Sequence, residues 1–87
     1  MLLLVQRILK YKLLVISMKY VYTKHAEKRM RERNIKRSLV EECIEIPDYS
    51  ISKERLVEAN KNLDRKILKV VFEKRDNFIK IVSVMWR

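Results

Sequence analysis

Between positions 24 and 45 the apolar residues recur every three or four positions, and beyond Pro47 they recur every second one. That change of period predicts helices first and strands after. A first helix over 24–34 turns Ala26 and Met30 inward, with Thr23 as its N-cap and Asn34 at the end where a left-handed residue is often needed. A second, over 37–45, turns Leu39, Val40, Cys43 and Ile44 inward and Glu41, Glu42 and Glu45 outward, and Ile46-Pro47-Asp48 stops it. Ahead of both, the alternation in KYVYT at 19–23 suggests a short strand.

After Pro47 the pattern gives four strands: one from Tyr49 through Ile51, one at 56–60, one at about 65–73 and one at 78–86, with turn residues at 61–64 and 74–77. The last two are apolar on both sides, as a central hairpin covered by helices would be. A regular pleat places Leu68, Val70 and Phe72 with Ile79, Ile81 and Met85, and Ile67 and Val71 with Val82, Val84 and Trp86. The fold class expected is α+β, with two N-terminal helices packed on a four-stranded antiparallel meander.

Residues 1–17 are apolar, but Arg7, Lys10 and Lys12 interrupt them, so no span of about 20 apolar residues exists. The order of a signal peptide is also missing. As a helix, Leu2, Val5, Leu9, Leu13 and Ile16 share one side and Gln6, Arg7, Lys10 and Ser17 another, which makes an amphipathic extension. It would pack on the domain, join two copies as a homodimer, or lie on a membrane surface. Alternatively Met18 begins a self-contained domain over 18–87, and 1–17 is an upstream extension of the reading frame.

Charge changes the picture more than size does. Lys and Arg number 21 against 11 Asp and Glu, a formal charge of +10 in 87 residues of which 48% are hydrophobic. A folded single domain so basic has nucleic acid as its first expected partner, ahead of an anionic membrane or an acidic protein. Solubility or thermal stability is the plainer explanation of the same charge. The single cysteine, Cys43, excludes an internal disulfide, and one histidine beside it cannot complete a metal site. A reducing, cytoplasmic setting is expected, with no metal and no cofactor. Glycine is absent, which excludes a glycine-rich phosphate loop.

Candidate chemistry gathers on the first helix, where His25, Arg29 and Arg33 follow one another at i, i+4 and i+8 along the border of the apolar side. His25 is the one side chain that titrates near neutrality, and guanidinium groups hold phosphate in bidentate fashion. The plainer alternatives are a packed histidine and arginines paired to Glu41, Glu45 or Asp48. Lys69 and Lys80 should share one side of the last hairpin, with Lys66 at its edge, as a phosphate-contacting floor below the helix or as ordinary edge protection. Ser83, expected on the Leu68/Phe72 side, either bonds locally or serves a site between sheet and helix. Tyr49 and Trp86 read as core aromatics before they read as base-stacking ones. Cys43 reads as a small core residue.

His25-Ala26, Arg29-Met30, Arg33 and Ile35, the helix ending in Ile46-Pro47-Asp48, and the late strands LKVVFE and IVSVMW together resemble the domain of unknown function 4258 family, over about 20–87. Such families are grouped with the RelE-like and barnase-like endoribonuclease fold. The resemblance implies a metal-independent RNA-cleaving toxin, neutralised by a protein antitoxin. It marks His25, Arg29 and Arg33 as the catalytic group, with Ser83 at a position where such proteins often carry a small hydroxyl residue. Lys66, Lys69 and Lys80 would then contact the RNA backbone. Lys36 departs from the pattern, standing where a good N-cap of the second helix is usual. The alternative function is a non-catalytic nucleic-acid-binding module or regulator using the same basic surface, and a third is an interaction protein joined through residues 1–17.

Overall fold

In the computed structural model, which describes residues 18–87, the elements follow in the order β1 (Lys19–Tyr22), α1 (Lys24–Glu32), α2 (Arg37–Glu45), β2 (Tyr49–Lys53), β3 (Leu56–Leu63), β4 (Lys66–Lys74) and β5 (Phe78–Trp86). The amphipathic helix expected at 1–17, and any dimer contact through it, lie outside the described residues.

Thr23 opens α1 in extended conformation, its Oγ1 accepting from the Ala26 amide at 3.0 Å. The helix closes through a complete Schellman arrangement. Asn34 takes φ 54°, the Asn34 amide donates to Arg31 O at 3.3 Å, and the Ile35 amide donates to Met30 O at 2.8 Å. Met30 and Ile35 are both buried, the apolar contact that such an ending favours. The second helix begins at Lys36 with no side-chain cap, and Ile46 ends it just before Pro47.

With no glycine available, the two tight hairpins place charged residues in the left-handed region: Glu54 at φ 55° and Asp64 at φ 57°. Each opens a two-residue turn, between Lys53 and Leu56 and between Leu63 and Lys66. Because Asp64-Arg65 alone makes the turn, β3 continues to Leu63, beyond the expected end at 60.

The sheet has five strands in the order β1-β5-β4-β3-β2 rather than four. Strands β2 to β5 form the expected antiparallel meander, and β1 adds beside β5 in parallel, with Tyr20 opposite Ile79 and Tyr22 opposite Ile81. Four alternating residues carry too little pattern to show which strand they will join.

Between β4 and β5 the register shifts: Val71 faces Ser83 and Phe72 faces Ile81, leaving Val82 without a partner as a bulge. One extra residue inverts every side chain beyond it. Val84 and Trp86 therefore join Leu68, Val70, Phe72, Ile79 and Ile81, whereas Met85 and Ser83 lie on the other side with Val71. The expected grouping of Met85 with Leu68, and of Ser83 with the Leu68/Phe72 side, is corrected accordingly. Thr23 secures the bulge, its hydroxyl donating to Val82 O at 3.1 Å while its amide donates to Ile81 O at 3.1 Å.

Both helices cover one side of the sheet. Ala26, Met30, Val40, Cys43 and Ile44 meet Ala59, Leu68, Val70, Ile79, Ile81 and Val84 in a single apolar cluster. Cys43 is fully buried, its thiol donating to Ala59 O at 3.5 Å, and burial pushes its pKa up to about 11. The opposite side of the sheet has no covering layer among the described residues.

Candidate functional site

The basic row on α1 follows from how the helix is seated. Thr23 ties its start to β5, and Ala26 and Met30 press into the core, so His25, Arg29 and Arg33 emerge on one flank. His25 and Arg33 are exposed, and among the described residues neither side chain makes a hydrogen bond or ion pair. Arg29 Nη1 lies 3.2 Å from Glu32 Oε1, an exposed i,i+3 pair.

The carboxylates considered as partners for these arginines are engaged elsewhere. Glu41 accepts from the Tyr22 hydroxyl at 2.9 Å and Glu45 from the Tyr20 hydroxyl at 3.3 Å, while Asp48 accepts from the Asn62 amide. Burial, and then Glu41, push the Tyr22 pKa above the usual phenol range. Arg37 stacks over the Tyr22 ring at 4.7 Å and reaches Glu27 at 3.5 Å. That pair belongs to the other flank of α1, where Glu27, Met30, Arg31, Asn34, Ile35 and Arg37 line a recess of about 390 Å³.

The expected lysines divide. Lys69 and Lys80 do share a side, but it is the open one, facing away from the helices. Ser83 is there too, on the rung of Val71. The floor is therefore not below α1. Lys66, two residues from Leu68, lies on the helix side at the sheet's end, its ammonium 5.5 Å from the centre of the Trp86 ring. The seven expected residues thus fall in three places: the α1 flank, the open face, and the end of the helix side. Lys80 stands opposite Glu73, whose carboxylate is taken by Arg75 at 2.9 Å.

The open face also holds a polar group in which the sequence pattern singles out Lys69 and Tyr49 but not Glu58, Asn60 or Arg87. Lys69 Nζ lies 3.1 Å from Glu58 Oε1, and Arg87 Nη2 lies 3.6 Å from Glu58 Oε2. Arg87 Nη1 donates to the Tyr49 hydroxyl at 2.7 Å. Beneath them Asn60 is completely buried, donating from Nδ2 to Glu58 Oε2 at 3.4 Å, and its Oδ1 has no partner among the described residues. The hydrogen bond from Lys69 is the chief reason that the Glu58 carboxyl is held below its ordinary pKa. Glu58 and Asn60 two apart in a strand, with Lys69 across from Asn60, become a signal only once the β3–β4 register is known.

Among the described residues no three His, Cys, Asp or Glu side chains come together as a metal site, and no helix is long and apolar enough to cross a membrane. Compared with known families, residues 22–86 match the one described as "Domain of unknown function (DUF4258)". No curated protein and no solved structure matches the chain.

Proposed function

This chain belongs to the DUF4258 family, and on that premise we propose that it is a small endoribonuclease of the toxin type, binding RNA and cleaving it without a metal. In this reading the fold is RelE-like, with β1 added to the meander, and the protein acts in the cytoplasm under the control of an antitoxin protein. A ribose 2′-hydroxyl attacks the adjacent phosphorus, the bond to the 5′-oxygen breaks, and a cyclic phosphate and a free 5′-hydroxyl result. One proton leaves the attacking oxygen and one reaches the departing oxygen, and His25 moves one of them. Arg29 and Arg33 hold the phosphate and offset its developing charge.

The row His25, Arg29 and Arg33 carries the reading. Two of its members present side chains to solvent with no partner among the described residues, in a chain of net charge +10. Releasing Arg29 from Glu32 costs little, since an exposed pair of this kind contributes about 0.2–1 kcal/mol. A second reading, a non-catalytic RNA-binding module or regulator, is favoured by one observation. None of the three lines the recess between α1 and α2, so that recess does not enclose the row.

RNA cleavage in EDTA by the wild type and by His25→Ala separates these readings. Loss of cleavage in the variant, with binding kept, supports the nuclease. Full activity in the variant removes His25 from the chemistry, and inactivity of both proteins with salt-dependent binding leaves the binding module.

A further inference from the structure

The open face of the sheet is built for more than edge protection. Two cations, Lys69 and Arg87, converge on one carboxylate, leaving a positive charge over. The Lys69 and Glu58 side chains are each only about one-fifth exposed, so solvent screens them poorly yet reaches them. Around the same point stand the Tyr49 hydroxyl, which Arg87 already touches, and Ser83 one strand further on. Below lies the unused Oδ1 of Asn60, a buried acceptor of the kind that native structures seldom leave unpaired. At the same end of the face Asp48, Tyr49, Asn62 and Ile67 line a recess of about 370 Å³. Tyr49 belongs to both places, its hydroxyl accepting from Arg87 while the residue also lines the recess.

We propose that this face is the binding site for one nucleotide unit of single-stranded RNA, with its phosphate held by Lys69 and Arg87 in place of Glu58 and its base in the recess against Tyr49. The inference rests on the reading of RNA as the partner and gives that partner a strandedness and a second contact surface.

Three features carry it. A phosphate offers a guanidinium two oxygens at matching spacing and keeps another for an ammonium, a fuller use of both cations than the 3.1 and 3.6 Å contacts that Glu58 makes. Glu58 stands on the face that no layer covers among the described residues, and its side chain already reaches solvent, so displacement turns it outward rather than into the core. Its departure uncovers Asn60, whose free acceptor is then available to a ribose hydroxyl or a base amino group. At about 370 Å³ the recess has room for a base, and a base that turns into it has to leave its pairing partner, as bases of single-stranded RNA can. Tyr49, 44% exposed, supplies a ring face for stacking, and Met85 and Val71 continue an apolar floor between charged positions. In this arrangement Glu58 occupies the anion site until RNA arrives, which lowers affinity and favours ligands able to compete with it.

The test uses the full chain and a single-stranded hexanucleotide with 2′-O-methyl riboses, which has no free hydroxyl for cleavage. Binding is followed by fluorescence anisotropy at low salt, and contact by amide shift changes in proton–nitrogen NMR spectra. Glu58→Gln, which frees both cations, is expected to tighten binding at least threefold, and Lys69→Met to weaken it at least fivefold. Shift changes in the unmutated chain are expected at Tyr49, Asn62, Lys69 and Arg87, a readout that stands even where a variant fails to fold. Weaker or unchanged binding by Glu58→Gln, or shift changes confined to 24–33, overturns the proposal and leaves the RNA reading intact. Absence of any binding by the wild type overturns both.

Discussion

The hydroxyl of Thr23 bonds to both α1 and the sheet. Thr23 Oγ1 accepts from the first turn of α1 and donates to the bulged carbonyl of Val82, so both of its hydrogen-bonding capacities are used. Thr23→Val keeps the shape and removes both bonds, and should cost about 1–3 kcal/mol of stability by chemical denaturation. Thr23→Ser should recover most of the loss. Glu58 makes a different prediction. Its folded pKa lies below the unfolded value, so its contribution to stability is present above the unfolded carboxylate pKa and fades as pH falls through the folded one. The difference in stability between wild type and Glu58→Gln should hold steady near neutrality and shrink below about pH 4. Denaturation series at several pH values would show it, and a constant difference down to pH 2 would contradict the pairing with Lys69.

At the scale of elements, the absence of glycine has a measurable consequence. Glu54 holds φ 55° at the head of an exposed two-residue turn, a conformation that a side chain with Cβ resists by about 1–2 kcal/mol. Glu54→Gly should raise the thermal midpoint, the relief of strain exceeding the entropy that glycine adds to the unfolded chain. Both helices were legible in the sequence because apolar spacing met boundary signals, Thr23 and the left-handed Asn34 around α1 and Pro47 after α2. The bulge was not. Nothing in Ile81-Val82-Ser83 marks Val82 as surplus, and that one residue decides which side Ser83, Val84, Met85 and Trp86 take. The basic row could be read because a helix converts spacing directly into a face. The Glu58, Lys69 and Arg87 group could not, since its members meet only through the pairing of three strands. The β1–β5 pairing escaped notice for a related reason: a four-residue strand at an edge has no pattern long enough to name its neighbour.

For the molecule as a whole, charge is distributed over both sides of the sheet rather than in one cleft. Under the RNA reading this gives a surface whose grip depends on salt, with each phosphate neutralised on a single strand contributing roughly 0.7 to the slope of log affinity against log salt. Arg33→Ala should reduce the slope by about that amount, measured by titration across a salt series. An unchanged slope would place Arg33 outside the contact. Two faces carrying cations also separate the readings spatially: variants on α1 and on the open face should weaken binding additively if one strand crosses both, since the sites share no partner.

The parallel pairing of β1 with β5 also bears on how the chain comes to be folded. Thr23 and the carbonyl it secures are 59 residues apart in sequence. Before β5 is in place, β1 lacks its strand partner among the described residues and the start of α1 lacks the carbonyl of Val82. The long closure makes this contact a late one during folding. The row of basic side chains on α1 therefore takes its final place on the sheet only once β5 has paired, so the surface proposed to engage RNA forms with the last contacts of the fold rather than the first.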